Sequence, residues 1–288
     1  MAAPPLDRAA LTEAQLGGLE RLLTDLRRRE RVVVAYSGGV DSTLLLRAAV
    51  LALGDRATAL TAVSESFAPW ELDDARGAAA LMGARLIEVQ SRELDRPAYR
   101  ENAGDRCYHC KTELFEIAAS HASHESLGGL VYGAIPEDLG DHRPGMRAAQ
   151  EHGVSAPLIE AGLSKADIRA LSRAFGLPTA EKPAAACLSS RFPDGTEISA
   201  ERLRQVAACE AGLRALGLVQ VRARYHEAVV RLELGPAEQS RVFAEPALRE
   251  AALQAGRAAG FRFVALDLEG YRSGSANTLL QVGERRRP

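Results

Sequence analysis

Long apolar runs and an excess of charge are both missing from this chain. Nowhere in its 288 residues do 18 apolar residues follow one another, which is about the length that a membrane-spanning helix requires. Its 36 Lys and Arg residues nearly balance its 38 Asp and Glu residues, which leaves a formal net charge of −2. A chain so balanced has no overall field to hold a polyanion. We therefore expect neither a membrane nor a nucleic acid as partner.

Cysteines are also few. The chain has four, Cys107, Cys110, Cys187 and Cys209. Its first residues lack the basic-then-apolar order of a signal peptide, so we expect a cytoplasmic protein. In that reducing compartment the cysteines are expected to be reduced, catalytic or metal-bound, and a disulfide framework is not expected.

The first two-thirds of the chain alternate short apolar runs with helical patterns. The apolar runs predict strands at residues 31–36, 57–63, 86–89 and 130–133. The helical patterns lie at residues 11–26, 41–53, 69–82, 111–122 and 164–175, the last with Ser164 and Asp167 spaced as a capping box. Strands that alternate with helices in this way predict an α/β fold with a doubly wound, mostly parallel sheet.

The pattern changes near Pro178, and we predict two domains, at residues 1–177 and 178–288. In the second, Ser199 is placed to cap an amphipathic helix at residues 200–216. Further elements are predicted as strands at 219–224, 228–234 and 261–266 and as helices at 236–243 and 246–259. This mixture predicts a smaller α+β domain.

A glycine-rich loop carries the strongest chemical signal. It reads Ser37-Gly38-Gly39-Val40-Asp41-Ser42, directly after a predicted buried strand and directly before a predicted helix. Glycines let backbone amides turn inward, and a helix N-terminus favours an anion, so the loop predicts a phosphate site. It lacks the Gly-Lys-Ser/Thr ending of a Walker A loop. The alternative is a turn that merely connects a strand to a helix.

This loop resembles the PP-loop of the ATP pyrophosphatase superfamily, whose members cleave ATP between the α- and β-phosphates and adenylate a substrate. That superfamily includes GMP and NAD synthetases, asparagine synthetase and tRNA thiolation enzymes. The resemblance implies the adenine nucleotide alpha hydrolase-like fold for residues 1–177 and AMP and pyrophosphate as products.

A finer resemblance covers nearly the whole chain. Four stretches, in this order, resemble signatures of the LarE family of ATP-dependent sulfur transferases. They are residues 102–111 (NAGDRCYHCK), 138–145 (DLGDHRPG), 182–191 (KPAAACLSSR) and 270–277 (GYRSGSAN). The resemblance implies that the protein adenylates the carboxylates of a pyridinium-biscarboxylic acid mononucleotide and replaces oxygen with sulfur, a step in making the nickel-pincer nucleotide cofactor. It also implies that the C-terminal domain binds the substrate and transfers sulfur.

The family resemblance implies a set of ATP and Mg²⁺ contacts. The residues expected to bind ATP are Ser37, Gly38, Gly39, Asp41, Ser42 and Arg106. Asp41 and Asp138 are the expected Mg²⁺ ligands. The family more often has a Gly-x-Asn-x-Asp-Asp run where this chain has residues 133–138 (GAIPED), so Ile135 and Glu137 depart from its pattern.

The cysteines have several interpretations. In some family members the cysteine at the Cys187 position donates its own sulfur and becomes dehydroalanine. Others resemble a three-cysteine type, in which Cys107, Cys110 and Cys187 here would bind a 4Fe–4S cluster that relays sulfur, and the CxxC pair with a third cysteine in the family-like set favours this second type. For Cys107 and Cys110, redox or structural thiols and a zinc site are the alternatives. Cys209 lies among alanines in a predicted helix and is expected to be a buried small hydrophobe.

Several arginines are candidates for the substrate phosphate. Arg222 and Arg224 alternate on one predicted strand, so both point to the same face, and two guanidinium groups there suit a phosphate. A solvated strand face is the alternative. The full set of predicted substrate-binding residues is Ser190, Arg191, Glu210, Arg222, Arg224 and Arg272.

Three rival functions remain open from the sequence. A tRNA thiolation enzyme would keep the fold but lacks a basic domain here. An ammonia-dependent amide synthetase would make the cysteines passengers, and a non-catalytic nucleotide-binding regulator would release no pyrophosphate. The expected partner is a small nucleotide substrate, and a homo-oligomer is the expected assembly.

Overall fold

The helices and strands follow the predicted alternation. A computed structural model describes residues 5–125, 127–140, 144–183 and 186–272. The elements are, in chain order, α1 (Glu13–Arg28), β1 (Val32–Ala35), α2 (Val40–Leu53), β2 (Ala57–Val63), α3 (Pro69–Leu81), β3 (Arg85–Gln90), α4 (Pro97–Glu101), α5 (Arg106–Glu125), β4 (Gly129–Tyr132), α6 (Pro144–Glu151), α7 (Pro157–Glu160), α8 (Lys165–Ala174), α9 (Ala200–Ala215), β5 (Val221–His226), β6 (Val229–Leu234), α10 (Pro236–Ala244), α11 (Pro246–Ala258) and β7 (Phe263–Leu266). Among these described residues, no helix is both long and apolar enough to cross a membrane.

The chain divides into two compact units. The first comprises Met1–Glu93 and Cys107–Ala185, and the second comprises Leu94–Arg106 and Ala186–Pro288. The sequence predicts one crossing, at 177/178, whereas the chain crosses between the units three times. Residues after 177 stay with the first unit because the Arg169 guanidinium of α8 donates to the carbonyl of Lys182 at 3.0 Å.

The first unit is built on a four-stranded parallel sheet of order β3-β2-β1-β4. Strand β1 is buried on both faces, since Val32 and Val34 join one apolar core while Val33 joins another. Helices α1, α2, α3 and α8 supply the first core, and α5 supplies Ala118 to the second. The predicted doubly wound parallel sheet is confirmed.

Local signals set the ends of several helices. Ser164 accepts from the Asp167 amide and Asp167 accepts from the Ser164 amide, so the predicted capping box at α8 is confirmed. Ser199 accepts from the Arg202 amide and caps α9 as predicted.

Helix α5 begins at Arg106, five residues earlier than the predicted start at 111. Gly104, at φ +93°, marks the break before it, and the residues that follow contain no Pro or Gly to delay the helix. The Cys107–Cys110 stretch therefore lies in a helical turn, ahead of the predicted start of the helix.

The second unit contains a smaller mixed sheet of order β5-β6-β7. Strands β5 and β6 form an antiparallel hairpin whose turn contains Glu227 at φ +55°, and β6 pairs with β7 in parallel. Helix α9 buries Leu203, Val206 and Leu213 on one face. The predicted smaller α+β domain is thus confirmed in class.

Candidate functional site

The glycine-rich loop lies at the switch point of the parallel sheet. Strand β1 has β2 on one side and β4 on the other, and ligands of such sheets bind at the carboxyl ends of the strands where the order reverses. Within the loop, the Ser37 amide donates to Ser42 Oγ at 3.3 Å, and Ser42 Oγ donates to the Gly39 carbonyl at 3.2 Å. Gly39 is the N-cap of α2 and makes no side-chain hydrogen bond to the helix. The first amides of the helix can therefore bind an anion.

Glycines are required where two elements approach this loop. Gly38 has φ +68°, and a Cβ there would lie 2.6 Å from Ala75 Cβ of α3. Tyr36 donates its hydroxyl to the Ala75 carbonyl at 3.1 Å, and burial raises the pKa of Tyr36 to about 12. Gly133 directly follows β4, and a Cβ there would lie 2.9 Å from the Ser42 amide nitrogen. Strand β4 therefore ends against the first turn of α2.

A lysine that the sequence analysis missed lies at this loop. Lys165 Nζ donates to both carboxylate oxygens of Asp41, at 2.7 Å each. Lys165 is the first residue of α8, directly after the Ser164 cap. The capping pattern predicted where the helix begins but gave no sign that its first side chain reaches α2.

The predicted second Mg²⁺ ligand, Asp138, organises the turn after β4. Its Oδ2 accepts from the Ile135 amide at 3.1 Å. Glu137, which departs from the family pattern, accepts from the Lys165 amide at 2.7 Å. The turn after β4 thus binds the backbone amide of Lys165 through Glu137, while the side chain of the same lysine binds Asp41.

Cys107 and Cys110 share the first turns of α5. A spacing of three residues puts both on one face of a helix. Cys107 is exposed and Cys110 is half-buried, so the first side chain faces solvent more than the second. Next to Cys107, the Tyr108 ring lies 4.0 Å from the Arg147 guanidinium, and its hydroxyl donates to Glu151 at 2.6 Å.

In the second unit, Cys187 is exposed at the start of a 3₁₀ helix, Leu188–Arg191. Arg191 Nε and Nη2 form a two-pronged ion pair with Glu210, at 2.8 and 2.9 Å, with both side chains at most 4% exposed. Arg191 Nη1 donates to the carbonyls of Ala186 at 2.6 Å and Cys187 at 3.0 Å. The protein engages all three nitrogens of this guanidinium, which fixes the backbone of the cysteine.

Arg222 and Arg224 lie beside this loop on β5. Arg224 donates to the Ser190 carbonyl at 2.8 Å and to Glu233 at 2.7 Å. Burial and then the charge of Arg191 lower the pKa of Arg222 from its usual value, so its charge is crowded by other cations. The structure thus brings Ser190, Arg191, Glu210, Arg222 and Arg224 together.

Two further predicted site residues belong to the second unit. Arg272 pairs with Glu269, and more than half of its side chain is exposed. Arg106, expected at ATP, donates from Nη1 to Asn102 Oδ1 at 2.6 Å and to the Ser189 carbonyl at 2.9 Å. Arg106 therefore contacts the loop that carries Cys187.

Cys209 is completely buried in α9, as predicted, and burial, helped by the charge of Glu210, raises the pKa of its thiol to about 12. Within the ranges that the structure describes, no group of three or more His, Cys, Asp or Glu side chains is gathered to hold a metal ion. Parts of the family-like stretches, at residues 141–143, 184–185 and 273–277, lie outside the described residues.

No protein-family model matches the chain. Among curated proteins, it is 42% identical over 270 residues to an uncharacterized protein of Synechocystis sp., and the aligned region covers 94% of this chain and 99% of that protein. It is 27% identical over 257 residues to an uncharacterized protein of Methanocaldococcus jannaschii, which covers 88% and 96%.

A third relative has a named activity. The chain is 37% identical over 262 residues to the pyridinium-3,5-bisthiocarboxylic acid mononucleotide synthase of Lactiplantibacillus plantarum, which covers 90% of this chain and 93% of that protein. Identity at this level extends over nearly the whole of both chains and agrees with the parallel sheet and the four family-like stretches. The chain therefore belongs to the LarE family of sulfur-transferring enzymes.

Proposed function

We propose that the chain is an ATP-dependent sulfur transferase that converts the carboxylates of pyridinium-3,5-biscarboxylic acid mononucleotide into thiocarboxylates for the nickel-pincer nucleotide cofactor. The observation that carries this proposal is the 37% identity to the named synthase over 90% of the chain. The phosphate-type loop of the first unit and the exposed cysteine beside arginines in the second unit support it.

The first unit holds ATP in this proposal. The amides at the start of α2, the hydroxyls of Ser37 and Ser42, and Gly38 and Gly39 surround the phosphates, and the helix N-terminus adds a favourable dipole. The carboxylates of Asp41 and Asp138 are hard oxygen donors that suit Mg²⁺. Once bound, that ion supplies neutralisation of the phosphate charge.

Lys165 provides a cation at the same loop. Its ammonium group neutralises Asp41, since both carboxylate oxygens accept from Nζ. When ATP arrives, the same flexible side chain can turn from Asp41 towards a phosphate and leave the carboxylate for a metal ion. The loop therefore lacks a Walker lysine in sequence but obtains a lysine from α8.

Adenylation prepares the substrate for sulfur. A carboxylate is a poor electrophile, because its charge repels a nucleophile. Attack of a substrate carboxylate oxygen on the α-phosphorus of ATP releases pyrophosphate and leaves an acyl-adenylate, whose AMP is a good leaving group. The products from ATP are therefore AMP and pyrophosphate.

The second unit binds the phosphate of the mononucleotide in this proposal. Arg222 and Arg224 lie on one face of β5, and Arg224 donates a hydrogen bond to the Ser190 carbonyl. Burial, and then the charge of Arg191, lower the pKa of Arg222, and a phosphate bound beside it would favour its charged form. Glu210 and Arg191 hold the neighbouring loop, and Arg272 lies on the segment after β7.

Cys187 is the proposed sulfur donor. Its thiolate attacks the carbonyl carbon of the acyl-adenylate, AMP leaves, and a thioester joins substrate to enzyme. Removal of the Cys187 Cα proton then breaks the Cβ–S bond, which releases the thiocarboxylate and leaves dehydroalanine. The exposed position of Cys187 at the start of a short helix suits a side chain that must be attached and released.

A 4Fe–4S cluster held by Cys107, Cys110 and Cys187 is the alternative sulfur source. Thiolates are the ligands that such clusters use, and the first two lie on one helical face. Cys107 and Cys110 belong to the first unit and Cys187 to the second, and we assign no step to a cluster. Iron and sulfide content after anaerobic purification distinguishes the two sources.

The test of the proposed function is product analysis. Purified protein is incubated with ATP, Mg²⁺ and pyridinium-3,5-biscarboxylic acid mononucleotide. The nucleotides and thiocarboxylates formed are then separated and identified by mass spectrometry. We expect AMP, pyrophosphate and thiocarboxylate, all dependent on the mononucleotide. Formation of ADP, or transfer of sulfur to tRNA in place of the mononucleotide, would contradict the proposal.

A further inference from the structure

The loop that carries Cys187 is held by a segment far from it in sequence. Leu94–Arg106 follows β3 and ends at the first residue of α5, and it belongs to the second unit. Tyr99 contacts Ser189 although 90 positions separate them, and Arg106 contacts the same residue across 83 positions. The segment is therefore part of the surroundings of the sulfur donor.

The hydroxyl and the carbonyl of Ser189 both contact this segment. The Tyr99 hydroxyl lies 2.6 Å from Ser189 Oγ, and Arg106 Nη1 donates to the Ser189 carbonyl at 2.9 Å. Tyr99 is 1% exposed and Ser189 is 0% exposed, so water does not compete for the first of these contacts. Ser189 is thus fixed through its side chain and its backbone together.

The segment is itself anchored. Asn102 adopts the left-handed conformation, at φ +53°, and is 1% exposed. Its side-chain amide donates to the Pro193 carbonyl at 2.8 Å, while its Oδ1 accepts from Arg106 Nη1 at 2.6 Å. Asn102 therefore fixes the Arg106 guanidinium, which in turn contacts Ser189.

The thiol lies two residues before Ser189 in a single helical turn. The Ser190 amide donates to the Cys187 carbonyl at 2.9 Å, which closes this turn. Arg191 Nη1 also donates to the Cys187 carbonyl, at 3.0 Å. A displacement of Ser189 is therefore passed to the Cys187 backbone through one short turn.

We propose that Tyr99 and Arg106 are positioning residues, which hold the Cys187 thiol where it can attack the acyl-adenylate. This inference rests on the proposed function. A nucleophile must lie about 3–3.5 Å from its target, and a misplacement of about 1 Å can lower a rate by about a hundredfold. Adenylation needs no thiol, so loss of the Tyr99 hydroxyl slows the sulfur step alone.

The test compares two variants of the segment with a matched control. Tyr99→Phe keeps the ring but removes the hydroxyl, and Arg106→Ala removes the guanidinium. The control is Arg100→Ala, because Arg100 lies in the same segment and its guanidinium donates to the Leu94 carbonyl, at 3.0 Å. Each protein is assayed for mononucleotide-dependent pyrophosphate release and for thiocarboxylate formed in a single turnover.

We expect Tyr99→Phe and Arg106→Ala to slow thiocarboxylate formation by about tenfold or more, and Tyr99→Phe to keep pyrophosphate release within about twofold of wild type. Arg100→Ala retains both rates. The double variant Tyr99→Phe/Ser189→Ala should lose no more than Tyr99→Phe alone, because both changes remove one contact. The rate at which iodoacetamide labels Cys187, followed by the mass of its peptide, should change in the two segment variants and not in the control.

Other outcomes overturn the inference. Equal loss of pyrophosphate release and thiocarboxylate in Arg106→Ala would make Arg106 an adenylation residue, and transfer at the control rate in Tyr99→Phe would remove Tyr99 from the sulfur step. If Arg106→Ala does not fold, Tyr99→Phe decides the matter alone. Failure of the wild-type protein to form any thiocarboxylate would instead contradict the proposed function.

Discussion

Three arginines of the second unit differ in role because their surroundings differ. Arg191 is enclosed, with every guanidinium nitrogen bonded to protein acceptors. Arg224 and the more exposed Arg231 both pair with Glu233, whose side chain is only 3% exposed, so removal of Arg224 would take one charge partner from a buried carboxylate. Arg222 packs over the Tyr271 ring at 5.1 Å and is more accessible. It is therefore the residue whose replacement best isolates the phosphate contact.

Arg222→Ala should weaken binding of the mononucleotide. A charge-assisted contact is worth about 1.5–3 kcal/mol, so we expect the KM for the mononucleotide to rise by about ten- to hundredfold. The KM for ATP should stay unchanged, because the ATP loop lies in the other unit. Steady-state pyrophosphate release measures both constants. Arg262→Ala, an exposed arginine stacked on Phe263, is the matched control, and an equal rise in the KM for ATP would contradict the assignment.

At the scale of elements, the ATP loop depends on a close approach of β4 to α2. Gly133 follows β4, and the space where its side chain would lie is filled by the backbone of Ser42. Backbone cannot rotate away as a side chain can, so a methyl group here must push the first turn of α2.

Gly133→Ala should therefore destabilise the protein by about 1–3 kcal/mol and raise the KM for ATP. Gly129→Ala, at the other end of the same strand, is the matched control, because nothing lies within 4 Å of a Cβ placed there. Urea unfolding and pyrophosphate release measure the two effects. Equal behaviour of the two alanine variants would show that the approach of β4 does not shape the loop.

The cap of α8 gives a prediction about acid. Hydrogen bonds from Ser164 lower the pKa of Asp167 below its usual value of about 3.9. Its charged form therefore stabilises the fold at neutral pH, and that contribution is lost as the pH falls through the lowered pKa. Ser164→Ala should cost about 0.5–2 kcal/mol at pH 7 and less at about pH 3, measured by urea unfolding.

The control for this prediction is Ser199→Ala, which removes the cap of α9. Ser199 accepts from the Arg202 amide at 3.3 Å. The third helical position is Arg202 itself, so no carboxylate there accepts from the Ser199 amide in return. Its cost should hardly change between the two pH values. An equal loss of effect at acid pH in both variants would mean that the Asp167 charge is not the cause.

At the scale of the whole molecule, the two halves of the proposed reaction fall in separate units. The ATP loop lies in the first, whereas Cys187 and the arginines lie in the second. Cys187→Ala should therefore abolish thiocarboxylate formation and leave AMP and pyrophosphate formation intact. Loss of both activities would mean that adenylation needs the thiol.

The same design separates the two sulfur sources. If Cys187 gives its own sulfur, Cys107→Ala and Cys110→Ala retain one turnover, and the mass of the enzyme falls by that of H₂S at Cys187. If a cluster supplies the sulfur, each of these variants loses both iron and activity. Mass spectrometry of the enzyme after a single turnover and an iron assay read the two results.

The sequence determined the features that depend on neighbours along the chain. The β-branched runs placed the strands of the parallel sheet, the Ser-x-x-Asp spacing placed the start of α8, and the glycines after β1 marked the phosphate-type loop. The LarE-like stretches gave the family, because four motifs in one order are a local record of a whole site. Each of these signals lies within a short window of residues.

Tertiary structure decided the contacts between distant residues. Lys165 meets Asp41 across 124 positions, and the segment before Cys107 holds the loop of Cys187 because Tyr99 and Arg106 both reach Ser189. The two arginines that alternate on β5 also have different partners in the structure, although their spacing in the sequence treats them alike. No local periodicity encodes which buried polar groups will pair, because that choice depends on which groups the fold removes from water together.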